Sequence, residues 1–143
     1  MKTAMKLSAI TMLVFLTILT SCSSDDDNIN DVLLSEAEIP TAIKTYIETH
    51  FKEELTRESL ASEVFMNPDY LSKLFKKNTG SSLMDYVTKV RIERAKELLE
   101  RTVLTISEIA IETGYSNTAY FTKMFKKYTN GVTPREYRKG LGG

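Results

Sequence analysis

Lysines that could bind a polyanion occur in two groups, about 50 residues apart, in this 143-residue chain. The groups are Lys73, Lys76 and Lys77, and Lys123, Lys126 and Lys127. A lysine ammonium is a compact charge with three donors, which suits phosphate oxygens. The repetition favours two copies of a phosphate-facing surface, and the alternative is a pair of solvated charged faces.

The positive charge is concentrated in the C-terminal half of the chain. The net charge of the whole chain is zero, which alone would argue against a nucleic-acid partner. Residues 67–143, however, hold fourteen basic and eight acidic side chains, a net charge of +6, whereas residues 36–66 sum to −4 and residues 1–35 to −2. This polarity provides the basic surface that a nucleic-acid partner requires.

Residues that could support catalysis or bind a metal are scarce. One cysteine, Cys22, and one histidine, His50, are too few for an internal disulfide, a zinc site or a Cys/His catalytic pair. The sequence shows no paired nucleophile and base and no glycine-rich phosphate loop. We therefore predict no catalytic residues, no metal, no cofactor and no enzyme activity, and we interpret His50 as structural.

Helix-end signals place the first lysine group on the second of two short helices. Thr56 can cap the first helix, and Asn67 followed by Pro68 supplies an N-cap and a proline at the first helical position. Gly80 can end this second helix. The pattern predicts a helix, a tight turn and a helix.

The second copy repeats this arrangement 49 to 51 residues later. Thr105 and Glu108 form a capping box. Gly114 suits the turn, and Ser116 or Asn117 caps the helix that contains the second lysine group. Two copies are too few for a solenoid, so we interpret them as a duplicated unit.

Three further helices surround the two copies. A long helix over 82–100 contains no glycine or proline and connects them. A first helix is predicted after Pro40, and a capping box that begins at Thr133 starts a short final helix over 133–139. The sequence therefore predicts an all-α fold.

The predicted architecture is a double helix-turn-helix, with unit one over 56–80 and unit two over 105–131. In such a fold the second helix of each unit enters a major groove. The linker helix would separate the two by one turn of DNA, roughly 34 Å. Sequence-specific binding to double-stranded DNA is the function that this architecture favours.

Residues 41–139 resemble the C-terminal DNA-binding domain of the AraC/XylS transcription regulators. The matching segments are Tyr70–Lys77, Arg91–Leu99, Ile106–Ala110, Gly114–Lys127 and Thr133–Arg138. The resemblance implies seven helices in a homeodomain-like double helix-turn-helix. It also implies promoter DNA as partner, RNA polymerase as a second partner, and activation or repression of nearby genes. We expect no small-molecule ligand domain before the first helix.

The resemblance also assigns roles to residues by position. It implies base contacts from Asp69, Ser72, Lys73, Asn117, Thr118, Ala119, Thr122 and Lys123. It implies phosphate contacts from Lys76, Lys77, Arg91, Lys126 and Lys127. We interpret the large apolar and aromatic side chains of the same helices as core, namely Tyr70, Leu74, Phe75, Tyr120, Met124 and Phe125.

The side-chain chemistry at these positions suits base contacts. Lys73 and Lys123 can donate to guanine, and Asn117 can pair with adenine. Asp69 could accept from cytosine. The alternative for Asp69 is a charge that stabilises the N-terminus of its helix.

Two residues depart from the pattern of this family. Phe65 stands where many relatives have a glycine in the first turn, and a left-handed backbone there would cost about 1 kcal/mol or more. Asn130 has the place of a one-residue insertion beside Gly131.

The first 22 residues resemble a bacterial lipoprotein signal peptide. Two lysines precede the 14-residue apolar run over 7–20, which is too short to span a bilayer comfortably. Cys22 then matches the lipidated cysteine of a lipobox, and residues 23–40 form a polar, acidic linker. The signal predicts export and a membrane anchor through a lipidated Cys22, whereas a DNA-binding domain predicts a cytoplasmic protein at the nucleoid.

Three hypotheses address this conflict. The chain could be a natural or artefactual fusion with its junction near Tyr46–Phe51, where residues 32–51 also resemble loosely the start of small secreted PepSY-like domains. Translation could instead start downstream, for example at the codon of Val32. In the third hypothesis, the protein is an exported lipoprotein that keeps the fold as an interaction module without binding DNA.

Overall fold

The computed structural model describes residues 34–142, in which seven helices and no strands occur. The helices are α1 (Ile39–His50), α2 (Arg57–Glu63), α3 (Pro68–Thr79), α4 (Leu83–Arg101), α5 (Ile106–Glu112), α6 (Thr118–Tyr128) and α7 (Pro134–Leu141). The predicted all-α fold is confirmed. The predicted signal peptide, Cys22 and most of the predicted linker lie outside the described residues.

Helix α1 begins at Ile39, before the predicted domain boundary at residue 41. Just upstream, the Ser35 hydroxyl and backbone N–H donate to the Glu38 carboxylate at 2.7 and 2.9 Å, which holds the pKa of Glu38 below its usual value. Ile39, Ile43 and Ile47 form a continuous buried face along the helix. A fusion junction near Tyr46–Phe51 would fall at the C-terminal end of this helix.

The first unit comprises residues 34–46 and 56–82, and in it α2 packs against α3. Thr56 caps α2 by accepting from the backbone N–H of Ser59 at 3.0 Å, and the Ser59 hydroxyl accepts in return from the Thr56 N–H at 2.9 Å. Gly80 ends α3 in the left-handed conformation, at φ +75°. The buried residues of the two helices are Leu60, Ala61, Leu71, Leu74 and Phe75.

The turn between α2 and α3 contains Phe65 in the left-handed conformation, at φ +54°. Phe65, which stands where many relatives have a glycine, therefore adopts the left-handed conformation that the sequence analysis considered for this position. The Phe65 N–H donates to the Ser62 carbonyl oxygen, and the Met66 N–H to that of Ala61, so backbone hydrogen bonds impose the conformation. The Phe65 side chain is 84% exposed, and its burial does little to offset the strain.

The second unit comprises residues 47–55 and 83–142, and in it α4 packs against α5, α6 and α7. Its core consists of Ile92, Ala95, Leu99, Ile109, Ala110, Tyr115, Phe121 and Phe125. An aromatic row runs through this core from Tyr115 to Phe121, Phe125 and Tyr137, with successive ring centroids 5.4, 5.8 and 5.6 Å apart. These contacts hold α6 in place from one side.

Both capping boxes predicted in the second unit are present. Thr105 accepts from the Glu108 N–H at 3.2 Å, and the Glu108 carboxylate accepts from the Thr105 N–H at 2.7 Å. Thr133 and Glu136 form the same pair of bonds. The capping threonine donates hydrogen bonds that hold the pKa of each glutamate below its usual value, and the bond from its backbone N–H has the largest effect. Asn130 lies in the left-handed region, at φ +55°.

The turn between α5 and α6 leaves no room for a side chain at Gly114. Its φ is +86°, and a Cβ there would lie 2.6 Å from the carbonyl oxygen of Phe51 and 3.0 Å from Nε of Arg91. A glycine is therefore required both by conformation and by space.

No helix within residues 34–142 is both long and apolar enough to cross a membrane. In the same residues, no three His, Cys, Asp or Glu side chains are grouped closely enough to hold a metal ion.

Candidate nucleic-acid interface

The two helices with the lysine groups begin with the same cap. The Asn67 side-chain oxygen accepts from the backbone N–H of Asp69 at 2.9 Å, and that of Asn117 accepts from the Tyr120 N–H at 2.8 Å. Asn117, rather than Ser116, is thus the N-cap of α6. Counting from these two caps places the candidate residues of α3 and α6 in register, 50 residues apart.

On α3, Asp69 and Lys73 are exposed and Ser72 is half-buried. The Asp69 carboxylate, in the first turn, lies 3.4 Å from Nη1 of Arg57 on α2. The Ser72 hydroxyl donates to the carbonyl oxygen of Pro68 at 2.7 Å. The three predicted base contacts of the first unit therefore lie on neighbouring turns of one helix.

On α6, Ala119 and Lys123 are exposed, and Thr118 and Thr122 are half-buried. The Thr122 hydroxyl donates to the Thr118 carbonyl oxygen at 2.9 Å, as Ser72 does on α3. The Thr118 hydroxyl lies 3.4 Å from that of Ser107 on α5. The helix thus presents a set of side chains that matches α3 at most positions.

Asn117 has only part of its amide available for DNA. Its carbonyl oxygen uses one of two lone pairs in the cap bond, and the amide N–H groups remain as donors. A two-bond contact with adenine needs a donor and an acceptor from the same side chain. The adenine contact expected at Asn117 would therefore share its acceptor with the cap, and it stays a prediction.

The lysines of the last helical turns are exposed. Lys76 and Lys77 end α3, and Lys126 and Lys127 end α6. None of the four pairs with a carboxylate of residues 34–142, and the Lys127 ammonium lies 5.5 Å from the Tyr128 ring centroid. Their positions leave the ammonium groups accessible to an external anion.

Arg91, predicted as a phosphate contact, is instead used inside the second unit. Its Nε donates to the Phe51 carbonyl oxygen and its Nη2 to that of Glu53, both at 2.8 Å. Its guanidinium also lies 5.4 Å from the Tyr115 ring centroid, and burial lowers the pKa of Arg91. The guanidinium thus holds the segment after α1 against the Gly114 turn, and a phosphate contact from its remaining N–H groups stays a prediction.

Tyr70 and Tyr120 were predicted to be core, and this prediction is wrong. They are 44% and 54% exposed, at matching positions in the first turns of α3 and α6. The Tyr70 hydroxyl donates to the Glu36 carboxylate, a bond that raises the pKa of Tyr70. Both rings adjoin the exposed candidate residues, so they enlarge this surface. The feature of the sequence that could have indicated this exposure is the position of both tyrosines just after the helix cap.

The remaining predicted core residues of these helices are buried or packed against the core. Leu74, Phe75 and Phe125 are buried, and Met124 is partly buried against the core of the second unit.

The Helix-turn-helix domain family matches residues 60–140 of the chain. The chain is 52% identical to the uncharacterized transcriptional regulatory protein YesN of Bacillus subtilis over 82 aligned residues. The aligned region covers 56% of this chain and 22% of that protein. The first four curated relatives that the chain matches are longer proteins, of which it spans between 22% and 50%.

Solved structures agree with this match. The C-terminal domain of AraT, a response regulator from Geobacillus stearothermophilus, has a TM-score of 0.70 and 40% identity, covering 77% of this chain and 88% of that one. An AraC-type DNA-binding domain-containing regulator from Chromobacterium violaceum has a TM-score of 0.67 and 28% identity, covering 72% and 91%. The chain belongs to the helix-turn-helix family of AraC-type DNA-binding domains.

Proposed function

We propose that this chain is a sequence-specific DNA-binding transcription regulator that inserts α3 and α6 into successive major grooves of promoter DNA. The repeated register of the two helices is the main support. In each, an asparagine cap is followed at the same intervals by a tyrosine, a hydroxyl, a lysine and a lysine pair. Several of these matching residues are exposed, where packing imposes no residue type, so a shared contact surface accounts for their match better than duplication alone.

The side chains divide by the kind of contact that they can make. Lys73 and Lys123, in the middle of their helices, are proposed to donate to guanine. Phosphate contacts, which give affinity without sequence information, are proposed for Lys76, Lys77, Lys126 and Lys127.

The relatives and the resemblance support further parts of the proposal. YesN is described as a regulatory protein and the AraT domain as part of a response regulator. RNA polymerase as a second partner, and action at the nucleoid, follow from the same kinship. We propose residues 35–142 as the extent of the DNA-binding domain, because the Ser35–Glu38 bonds precede α1.

A salt titration of the full chain against a random pool of duplex DNA tests this function. The bound fraction is sequenced at each salt concentration. We expect enrichment of a motif with two blocks one helical turn apart, roughly 10 base pairs. Phosphate contacts from the four terminal lysines should give a slope of log K against log salt of about −4. Binding without enrichment, or no binding at low salt, would refute the proposal.

The N-terminal sequence favours a second candidate, an exported lipoprotein or fusion product that uses the fold as an interaction module. Its support is the basic start, the apolar run and Cys22. Intact-mass measurement of the native protein separates the two candidates. A chain that begins at a diacylated Cys22 supports the lipoprotein, whereas an unmodified chain excludes lipidation and leaves the regulator.

A further inference from the structure

The two recognition helices differ in chemistry at the second residue after the N-cap. That residue is Asp69 in α3 and Ala119 in α6, and both are exposed. A carboxylate is a charged hydrogen-bond acceptor, whereas alanine presents a methyl group. Apart from Pro68 and Thr118 at the first helical position, the predicted contact positions of the two helices otherwise agree closely. The second position is therefore a place where the two units can differ in the base that they contact.

Asp69 has a basic neighbour that its counterpart lacks. Arg57, the first residue of α2, lies with Nη1 3.4 Å from the Asp69 carboxylate. The corresponding first residue of α5 is Ile106. A carboxylate near DNA is repelled by the phosphates, and Arg57 offsets part of that repulsion. The acid and its basic neighbour thus occur together in the first unit, and apolar residues replace both in the second.

A second acceptor stands beside Asp69. The Ser72 hydroxyl uses its proton in the bond to the Pro68 carbonyl oxygen, so it offers only lone pairs to an approaching base. In α3 two acceptors therefore lie one turn apart, and both suit a base that presents an amino group. In α6 the matching acceptor, Thr122, stands beside the methyl group of Ala119.

On the basis of the proposed DNA-binding function, we infer that the two units select different bases, a cytosine opposite Asp69 and a thymine opposite Ala119. Cytosine presents its N4 amino group in the major groove, whereas the adenine amino group lies beside the N7 acceptor, which repels a carboxylate. The C5-methyl group of thymine packs against a side-chain methyl. The target is then asymmetric, and the protein binds it in one orientation.

Two single variants test this inference in the random-pool selection with the full chain. Asp69→Ala gives α3 the residue of α6, and Ala119→Asp gives α6 the residue of α3. Both positions are exposed, and helical circular dichroism checks that the fold is retained. We expect Asp69→Ala to lose a cytosine preference of about five- to tenfold in one block while the other block is unchanged. The same variant should bind random DNA more tightly, because it removes a negative charge near the phosphates.

For Ala119→Asp, we expect the thymine preference in the other block to be replaced by cytosine and the affinity for random DNA to fall. If the wild-type chain enriches a two-block motif and neither variant changes the base frequencies, the inference is overturned and the proposed function stands. If the wild-type chain enriches no motif, the proposed function fails, and the inference fails with it. Equal base changes in both blocks would also overturn the inference, since they would indicate a general disturbance of the fold.

Discussion

Phe65 and Gly114 occupy the same place in the two turns, with φ of +54° and +86°. We predict that Phe65→Gly is more stable than Phe65→Ala by about 1 kcal/mol. A residue with a Cβ costs about 1–2 kcal/mol in this conformation, and glycine loses about 0.5–1 kcal/mol more in conformational entropy on folding. Because Phe65 is 84% exposed, both variants lose the same small burial of the ring.

The reverse change in the second unit should be costly. Gly114→Ala combines the same backbone strain with a Cβ 2.6 Å from the Phe51 carbonyl oxygen. Strain of about 1–2 kcal/mol and overpacking of about 1–3 kcal/mol, less the about 0.5–1 kcal/mol of conformational entropy that alanine saves, give an expected loss of about 1–4.5 kcal/mol.

Unfolding of the full chain by heat and by denaturant, followed by helical circular dichroism, measures both effects. A difference of 1 kcal/mol corresponds to a change in Tm of about 4–8 °C for a domain of this size. Equal Tm values for Phe65→Gly and Phe65→Ala would refute the argument that φ controls stability at this turn. A Gly114→Ala variant as stable as the wild type would refute the steric part.

Three further predictions concern single side chains. Arg91→Met should lower the free energy of unfolding by about 2 kcal/mol, because it loses the bonds to two carbonyl oxygens, and should leave the salt dependence of DNA binding unchanged; a slope shallower by about 1 would support the phosphate role. Lys76→Ala should reduce that slope by about 1 and weaken binding equally for all sequences, whereas Lys96→Ala, which removes a lysine paired with a carboxylate at 2.8 Å, should not. The Tyr115 hydroxyl has no hydrogen-bond partner within residues 34–142, and burial raises its pKa to about 12. Because the fold favours the neutral form of the Tyr115 hydroxyl, the contribution of Tyr115 to stability is complete below pH 10 and is lost as the pH rises through 12. Denaturant titrations across this range should show a smaller alkaline loss for Tyr115→Phe; equal losses would contradict this assignment.

The ends of the helices could be predicted from the sequence because capping depends on residues a few positions apart. The asparagine cap of α3, the capping box at Thr105 and the glycine after α3 were each recognisable by residue type and spacing. The left-handed turn at Phe65 was indicated by the resemblance to the family, in which many relatives have a glycine at this position. These local signals were sufficient for the order of the helices and for the register of α3 and α6.

Burial in the first turn of a helix was harder to predict. Helical periodicity places Tyr70 with Leu74 and Tyr120 with Met124, which predicted two core tyrosines. Both tyrosines are nevertheless exposed, although Leu71 and Phe121, the next residues along the same helices, are fully buried. Periodicity indicates the direction of a buried face, but the packing of neighbouring helices decides how wide that face is.

The role of Arg91 depends on contacts that no local pattern predicts. Its partners are backbone carbonyl oxygens 38 and 40 residues earlier, and a backbone acceptor has no signature in the sequence. Asn117 differs, because its suitability both for capping and for base contact was recognisable in the sequence, and the structure shows that it is the N-cap. In both cases a polar group was already used within the fold.

The aromatic row of the second unit affects how often each recognition helix opens in the free protein. Phe121 and Phe125 give α6 two large buried rings, whereas α3 has Phe75 with two leucines. Each ring pair of this row is worth about 0.5–1.5 kcal/mol beyond the area that it buries, and opening of α6 breaks three of them. Local opening of α6 should therefore require more free energy than opening of α3, and the amide hydrogens of α3 should exchange with solvent sooner. DNA would then meet an α6 that is already ordered, while part of the binding energy at the other block would be spent on keeping α3 folded.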